Sequence, residues 1–218
     1  MEPITQPTGV ILAGGKSTRF GADKAAALLL GRPLLQWVAD ALAVHCRELV
    51  VVRAAHQLLP PLDSHVPVRV LDDRYEALGP LAGLVTAFTQ LVGPCVVAPC
   101  DAPLLRPALL AGLAERLAGH DAVVPVVGGY REPLVAAYDP ATCLPVFEAA
   151  LATGRRGVQA ALRGLRVREF SEAEVATLDP GLDSFRNVND SAALAAIEAV
   201  LTGSKPGTPA VNEGAGRG

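Results

Sequence analysis

Residues 9–24 read GVILAGGKSTRFGADK, an apolar run followed by a polar loop rich in glycine. Its first part, Gly9 to Ala13, is a short apolar run without alternation, which predicts a strand buried on both faces. Two adjacent glycines, Gly14 and Gly15, end that strand, and a polar loop with several lysine and arginine side chains follows. Glycine lets backbone N–H groups approach an anion with no Cβ in the way. The stretch therefore predicts a buried strand followed by a phosphate-binding loop.

Two better-known glycine-rich loops do not match this stretch. A P-loop that ended in Gly15, Lys16 and Ser17 would require glycine at the position where Val10 stands. A dinucleotide-binding turn requires the pattern G-x-G-x-x-G, whereas here the glycines are adjacent and the next one is Gly21. The loop therefore belongs to neither class.

Beyond this loop, short apolar runs alternate with segments of helical periodicity. The further predicted strands are Leu49 to Val52, Val68 to Leu71, Cys95 to Pro99, Ala122 to Val127 and Leu134 to Tyr138. The predicted helices start at Pro33, Leu81, Pro107 and near Ala192. Strands that alternate with helices of this length imply parallel βαβ units. We therefore expect an α/β protein, a three-layer α/β/α sandwich with a mostly parallel sheet, which binds its ligand at the carboxyl ends of the strands.

The composition excludes several classes of protein. Hydrophobic residues make up 50% of the 218 residues and charged residues 19%, which is typical of a globular chain. A net charge of −3 provides no positive field for nucleic acid. The four cysteines contain no CxxC pair, so we expect buried thiols. The first residues have neither the basic region nor the apolar length of a signal peptide or membrane span, which favours a cytoplasmic protein.

The glycine loop resembles the nucleotide loop of the molybdenum cofactor guanylyltransferases, LAGG-x-S-x-R-[MF]-G-x-D-K. The matching residues are Leu12, Ala13, Gly14, Gly15, Ser17, Arg19, Gly21, Asp23 and Lys24. The resemblance implies a Rossmann-like nucleotidyltransferase fold, like that of the nucleotide-diphospho-sugar transferases. It also implies that Leu12 to Gly15 wrap a triphosphate, with backbone N–H groups of Gly14 and Gly15 as donors, while Arg19 and Lys24 neutralise the β and γ phosphates.

A single carboxylate, Asp101, follows the predicted strand in VVAPCDAPLL. Magnesium takes one or two protein carboxylates together with phosphate oxygens and water, so Asp101 alone is sufficient. The family's P-C-D motif implies this role for Asp101 and makes Mg²⁺ the expected cofactor. Taken by itself, Asp101 also fits as the N-cap of the turn that follows.

A second group of residues resembles the part of the family that surrounds the base. The segment GPLAG, with Gly79 and Gly83, is similar to the one that packs against the purine. Asp73 corresponds to a nucleotide-contacting acid, although Asp72 could take its place, and either acid also fits a turn. Arg53 stands where the best-known members have Asn. It has only donors, which suit guanine O6 or N7.

Three segments of the second half, GGYREPLVAAY, TGRRGVQAAL and FRNVNDSAAL, resemble the family's R-x-x-P-L, G-x-R-R and N-V-N motifs. The resemblance assigns five residues to the acceptor site: Arg131, Arg155, Arg156, Asn187 and Asn189. The arginines would bind a pterin phosphate as forked donors, although a solvated basic loop would have the same sequence. Asp190 or Ser191 is expected to cap the last helix.

The resemblance as a whole implies transfer of GMP from GTP to the phosphate of molybdopterin, and it leaves transient contact with cofactor-insertion proteins or acceptor enzymes open. A single domain, 9–201, would have a nucleotide-binding half to about 105 and an acceptor-binding half after it. An extension, 1–8, and a disordered tail, 202–218, would flank it.

Three alternatives stay open. They are a cytidylyltransferase for the same cofactor, a nucleotidyltransferase for a sugar or alcohol phosphate, and a non-catalytic nucleotide or cofactor carrier. The sister cofactor enzyme typically shows A-A-G where this chain has Ala13, Gly14 and Gly15. A carrier would not need Asp101 together with Arg19 and Lys24.

Overall fold

The computed structural model describes residues 6–14, 23–75 and 78–203, and it contains one large sheet between two layers of helices. The strands are β1 (Thr8–Leu12), β2 (Leu28–Leu29), β3 (Arg32–Pro33), β4 (Glu48–Arg53), β5 (Val68–Asp72), β6 (Cys95–Pro99), β7 (Ala122–Val127), β8 (Tyr130–Arg131), β9 (Ala136–Tyr138) and β10 (Val167–Phe170). The helices are α1 (Leu34–Ala43), α2 (Pro80–Phe88), α3 (Pro107–Glu115), α4 (Pro140–Ala152), α5 (Val158–Ala161), α6 (Glu172–Leu178) and α7 (Ser191–Thr202).

The main sheet has the strand order β10-β7-β9-β6-β1-β4-β5, and β8 pairs with β7 outside this path. Strand β1 is central and runs parallel to β4 on one side and to β6 on the other. Only β9 interrupts the parallel path, because it pairs antiparallel with both β6 and β7. The carboxyl ends of five strands therefore meet at one edge of the sheet: those of β1, β4, β5, β6 and β7. A parallel α/β fold binds its ligand at this edge.

Helices cover both faces of this sheet. On one face, Leu35 of α1, Leu109 of α3 and Val175 of α6 share a buried cluster with Ile11. On the other, residues of α2, α4 and α5 form a second cluster with Val10 and Leu12. Successive side chains of β1 point to opposite clusters, as required of a strand buried on both sides. The predicted three-layer sandwich is confirmed.

A third, smaller cluster packs α7 and the residue Val188 before it against β2 and α1. Leu29 of β2 and Leu34 of α1 pack against Val188 and Ile197, and Ile197 lies in α7. Trp37 packs against this cluster, and its indole N–H donates to the Leu29 carbonyl at 3.2 Å. This packing places residues 187–189 beside residues 24–29, which are far away in sequence.

Strands β1, β4, β5, β6 and β7 follow the predicted elements closely, whereas β2, β3 and several elements of the second half were not predicted, and α1 begins one residue after the predicted Pro33. Strands β6 and β7 have the predicted bounds, whereas α4, α5, β10 and α6 lie in a region where the sequence analysis placed no element. In α4 the periodicity is interrupted by Pro145. Strand β1 begins at Thr8, inside the predicted extension, and α7 includes Thr202 from the predicted tail. Residues 1–5 and 204–218 lie outside the described residues.

All four cysteines are buried and free, as expected. Burial raises the pKa of the thiols of Cys46, Cys100 and Cys143 to about 12. Because the thiolate is the reactive form of cysteine, these side chains act as small apolar residues of the core.

Candidate active site

Three segments of the chain meet at the carboxyl end of β6. Asp101 follows this strand, Lys24 opens a 3₁₀ turn over residues Lys24–Ala26, and Asn189 precedes α7. The Lys24 ammonium donates to Asp101 Oδ2 at 2.8 Å and to Asn189 Oδ1 at 2.9 Å. The side chains of Lys24 and Asp101 are 21% and 15% exposed, so a ligand that reaches this edge meets them both. We call these three residues the lysine cluster.

Backbone hydrogen bonds fix the position of Asp101 in this cluster. The N–H of Cys100 donates to the Leu12 carbonyl at 3.1 Å, which continues the pairing of β6 with β1 past the end of the strand. The Asp101 carbonyl accepts from the Val188 N–H at 2.8 Å. Since Val188 is buried, the neighbouring Asn189 is held at the site by the packing of the core. Asp190 caps α7, because its carboxylate accepts from the Ala193 N–H at 2.8 Å.

A glutamine that the sequence analysis missed connects the end of β1 to the turn of Lys24. Its side-chain nitrogen, Gln57 Nε2, donates to the Ala13 carbonyl at 3.0 Å and to Asp23 Oδ2 at 2.5 Å. Asp23 in turn caps the turn, because its Oδ1 accepts from the Ala25 N–H at 3.0 Å. Gln57 stands in an irregular, proline-rich connection with no periodicity, so its sequence carries no signal of this contact.

The three candidate base-reading residues, Arg53, Asp72 and Asp73, lie together at the ends of β4 and β5. Arg53 Nε donates to Asp72 Oδ1 at 2.7 Å, and Arg53 Nη1 donates to the Gln57 carbonyl at 2.9 Å. Asp73 Oδ1 accepts from the Thr86 hydroxyl at 2.8 Å. Both acids therefore already serve the local structure, and their contact with a base stays a prediction.

The glycines assigned to the nucleotide have different surroundings. The Gly14 N–H donates to the Val52 carbonyl at 3.2 Å, and the expected donation by Gly14 to a phosphate stays a prediction. A Cβ on Gly14 would lie 3.1 Å from the Ala54 nitrogen, so glycine is needed here for a close backbone approach. Gly83 is buried, and a Cβ there would lie 3.1 Å from Leu12 Cδ2.

The close approach of position 83 to Leu12 shows that glycine is needed there for the packing of α2 on β1. The contact of Gly83 with the purine stays a prediction. Gly79 precedes α2 with a φ of +83°, a conformation that favours glycine. Gly15, Lys16 and Arg19 lie outside the described residues, and their expected contacts with the phosphates stay predictions.

Of the residues assigned to the acceptor site, the structure places Asn189 in the lysine cluster, and it gives Arg131 and Arg156 contacts elsewhere in the fold. Arg131 pairs with Glu169 at 2.6 Å, and its carbonyl accepts from Gln159 Nε2 at 2.9 Å. Arg156 has its carbonyl 3.8 Å from the position that a Cβ on Gly79 would occupy. Both Arg155 and Arg156 are exposed. The segment of Arg155 and Arg156 therefore lies at the amino end of α2, beside the predicted nucleotide site.

Comparison with known proteins identifies the family. The MobA-like NTP transferase domain matches residues 9–171. The chain belongs to the MobA-like NTP transferase family. It is 35% identical over 201 residues to the molybdenum cofactor guanylyltransferase of Desulfosudis oleivorans, which covers 89% of this chain and 95% of that protein.

Solved structures agree with this assignment. The molybdopterin-guanine dinucleotide biosynthesis protein A of Archaeoglobus fulgidus matches with a TM-score of 0.74 and 26% identity, over 90% of this chain and 99% of that one. The 2-C-methyl-D-erythritol 4-phosphate cytidylyltransferase of Thermus thermophilus matches with a TM-score of 0.67 and 16% identity, over 88% and 98%, and shares the fold. The expected nucleotidyltransferase fold and family are confirmed.

In this MobA-like NTP transferase, the donor chemistry at Asp101 fits a magnesium ion. The Asp101 carboxylate accepts a hydrogen bond from Lys24 at Oδ2. Its other oxygen, Oδ1, has no hydrogen-bond donor among the described residues. No cluster of three or more histidine, cysteine or acidic side chains suited to a metal occurs in the same residues. A single hard oxygen ligand suits Mg²⁺ that takes its remaining ligands from phosphate and water.

Within residues 6–14, 23–75 and 78–203, no helix combines the length and the apolar character that crossing a bilayer requires.

Proposed function

We propose that this nucleotidyltransferase transfers GMP from GTP to the phosphate of molybdopterin and releases pyrophosphate. The observation that carries the proposal is the lysine cluster, in which Lys24, Asp101 and Asn189 meet within hydrogen-bond distance. These residues come from three separate motifs, the glycine loop, P-C-D and N-V-N. The match to the MobA-like NTP transferase domain and the 35% identity to a molybdenum cofactor guanylyltransferase support the same reaction.

The reaction is a direct displacement at phosphorus. A phosphate oxygen of molybdopterin forms a bond to the α-phosphorus of GTP, and the bond from that phosphorus to the β-phosphate oxygen breaks. Pyrophosphate leaves with the electron pair of the broken bond. No nucleophilic side chain is needed, because the acceptor phosphate is the nucleophile. The protein contributes mainly positioning and stabilisation of negative charge.

Lys24 is suited to stabilising the departing pyrophosphate. Its ammonium carries three donors on a flexible stem, and two of them are directed at Asp101 and Asn189. Phosphate oxygens that reach this edge can therefore take up the third donor, or replace one of the two partners. We extend the same role to Arg19 as part of the proposal.

Asp101 is the residue that would hold Mg²⁺. When bound, the ion would supply charge neutralisation for the phosphate oxygens of the reacting groups. Asp101 itself has two further tasks that the structure suggests: it orients the Lys24 ammonium, and through its carbonyl it anchors the segment of Asn189. Leu12 and Ala13 form the floor of the triphosphate site beside it in this proposal.

Recognition of guanine is assigned to the ends of β4 and β5. Arg53 uses Nε and Nη1 in its contacts with Asp72 and Gln57, which leaves further guanidinium donors for O6 or N7 of the base. Asp73 has a second carboxylate oxygen besides the one that contacts Thr86, and this oxygen is suited to accept from N1–H or N2–H.

The acceptor is assigned to the segment of Arg155 and Arg156, which lies beside the amino end of α2. Arg155 and Arg156 would bind the phosphate end of molybdopterin, and Arg131, Asn187 and Asn189 are assigned to the same substrate. In the structure Arg155 and Arg156 are exposed, so an anion can reach them. Transient contact with cofactor-insertion proteins or acceptor enzymes is part of the same proposal.

The test measures pyrophosphate release when the pure protein is mixed with molybdopterin, Mg²⁺ and either GTP or CTP. We expect release with GTP that requires molybdopterin, and much slower release with CTP. Faster release with CTP would overturn the choice of base. Binding of GTP and molybdopterin without any pyrophosphate would identify a carrier and overturn the catalytic role.

A further inference from the structure

The side chain of Gln57 has all of its polar atoms in use. Its two amide hydrogens are directed at the Ala13 carbonyl and at Asp23 Oδ2, at 3.0 and 2.5 Å. Its amide oxygen accepts from the Ala54 N–H at 2.9 Å. Such a side chain is fixed in one orientation, because any rotation breaks several hydrogen bonds at once.

These contacts join two points of the chain that the phosphate-binding loop separates. Ala13 directly follows β1, and Asp23 directly precedes the turn that begins with Lys24. Asp23 caps this turn through its other oxygen, Oδ1, which accepts from the Ala25 N–H at 3.0 Å. The Gln57 amide therefore sets the position of the Lys24 backbone relative to the central strand of the sheet.

The backbone of Gln57 is itself held in place. Its carbonyl accepts from Arg53 Nη1 at 2.9 Å, and Arg53 Nε is paired with Asp72 Oδ1 at 2.7 Å. A continuous series of polar contacts thus runs from the end of β5 to the lysine cluster. It passes the ends of β4 and β1 on the way.

We infer that Gln57 is a positioning residue for nucleotidyl transfer, which holds Lys24 in place for the phosphates of the nucleotide by tying Asp23 to the end of β1. The inference rests on the proposed function, because it assigns Lys24 to the phosphates. Gln57 itself does not touch the nucleotide in this account. Its contribution passes entirely through the turn that begins at Lys24.

A second glutamine in the chain provides a matched control. Gln36, in α1, also donates two hydrogen bonds and accepts one, and it ties a loop to an element of the fold. Its partners are Asp40 and both backbone groups of Asp63, and the lysine cluster is not among them. Gln36→Ala therefore removes the same number of hydrogen bonds, none of which reaches the turn of Lys24.

The experiment measures the dissociation constants of GTP and GMP, in the presence of Mg²⁺, by calorimetry for a set of variants. We expect Gln57→Ala to weaken GTP binding about tenfold. Without Gln57 the Lys24 ammonium is displaced, and its interaction with the phosphates loses much of its energy. GMP lacks the β and γ phosphates, so its binding should change less than about twofold. Gln36→Ala should leave the ratio of the two constants unchanged.

A double-mutant cycle with Lys24→Ala separates positioning from a general structural effect. If Gln57 acts through Lys24, adding Gln57→Ala to Lys24→Ala should weaken GTP binding by less than about twofold further. The full tenfold loss in that background would overturn the inference. So would GTP binding by Gln57→Ala that stays within about twofold of the wild type.

An exchange of partners tests the contact itself without emptying the site. Gln57→Glu places a carboxylate against Asp23 and should weaken GTP binding at least as much as Gln57→Ala. Adding Asp23→Asn restores a donor and acceptor pair, and Asn still caps the turn, so affinity for GTP should be recovered in part. Additive losses in the double variant would overturn the inference.

The wild-type measurement distinguishes this inference from the proposed function. A wild-type protein that binds GTP no better than GMP would contradict the proposed function, and the inference with it, without any substitution. A wild-type preference for GTP that Gln57→Ala retains would overturn the inference alone.

Discussion

The two edges of the same sheet carry aspartates in contrasting surroundings. At the amino edge, Asp121 precedes β7 and accepts from the Arg166 N–H at 2.8 Å and from Arg166 Nη2 at 2.8 Å. These hydrogen bonds hold the pKa of the Asp121 carboxyl below its ordinary value of 3.8. At the carboxyl edge, the Asp101 carboxylate accepts from Lys24 at a single oxygen. The fold thus supplies donors to both oxygens of Asp121, whereas Asp101 has an oxygen left that can accept from a ligand.

The comparison separates an acid whose oxygens the fold already uses from an acid with an oxygen left for a ligand. A carboxylate offers about four lone-pair sites, and one that backbone and arginine donors already occupy has little to offer to a ligand. Asp101 keeps an oxygen for a ligand or ion, and its cation, Lys24, is shared with an amide. We therefore expect substitution of Asp101 to lower turnover and leave stability nearly unchanged. Substitution of Asp121 should lower stability and leave turnover unchanged.

The largest expected effect is the loss of turnover in Asp101→Asn. Turnover should fall by about 10²–10³-fold, as when a charge-stabilising group is removed from other active sites. The free energy of unfolding should change by less than about 1 kcal/mol, since Asp101 is not part of the apolar core. Pyrophosphate release and urea unfolding measure the two quantities. Turnover within about tenfold of the wild type would show that Asp101 is not the metal ligand.

The next effect concerns the exposed arginines at the acceptor side. Arg156→Gln should raise the KM for molybdopterin by about tenfold, since it removes a charged hydrogen bond to phosphate. The dissociation constant of GTP should not change. Arg163→Gln is the control, because Arg163 is also exposed but belongs to none of the motifs. An equal rise in KM for both variants would indicate an effect of net charge alone.

A smaller effect is expected at Thr86, which supports Asp73 at the carboxyl edge. Thr86 is buried, donates to Asp73 Oδ1 at 2.8 Å and accepts from the Arg74 N–H at 3.1 Å. Thr86→Val should lower the free energy of unfolding by about 1–2 kcal/mol, because it leaves these groups without their partner. Thr86→Ser keeps the hydroxyl and should lose less. A more stable valine variant would contradict the assigned contact.

The smallest expected effect is at the amino edge, because Arg166 is 70% exposed and water screens its pairing with Asp121. Asp121→Asn should lower the midpoint of thermal unfolding at pH 7 and leave turnover unchanged. A lowered pKa stabilises the fold above pH 3.8, and this contribution is lost as the pH falls through the pKa of the folded state. The difference from the wild type should therefore shrink below pH 3.8. A difference that persists at lower pH would contradict this assignment.

The sequence predicted five strands of the main sheet well for a physical reason. Buried parallel strands are continuous apolar runs bounded by glycine and proline, and β1, β4, β5, β6 and β7 all have this form. The reversed direction of β9 could not be predicted, because the direction of a three-residue strand depends on the neighbours with which it pairs. Helix α4 was missed because Pro145 interrupts its pattern.

The site was predictable where a motif stood in the chain and not where a contact depended on folding. Lys24, Asp101 and Asn189 were each found from a motif, and their meeting point required the structure, since Lys24 and Asn189 are 165 positions apart. Gln57 had no motif at all. The contact of the Gly14 N–H with the Val52 carbonyl could not be predicted from the motif either, because it depends on how β1 pairs with β4.

A crystal structure of the protein with GTP and Mg²⁺ tests the proposed site most directly. We expect the triphosphate at the carboxyl ends of β1 and β6, Lys24 in contact with phosphate oxygens, and the metal bound to Asp101. A triphosphate bound elsewhere, with the Lys24 ammonium still paired to Asp101, would contradict the proposed site.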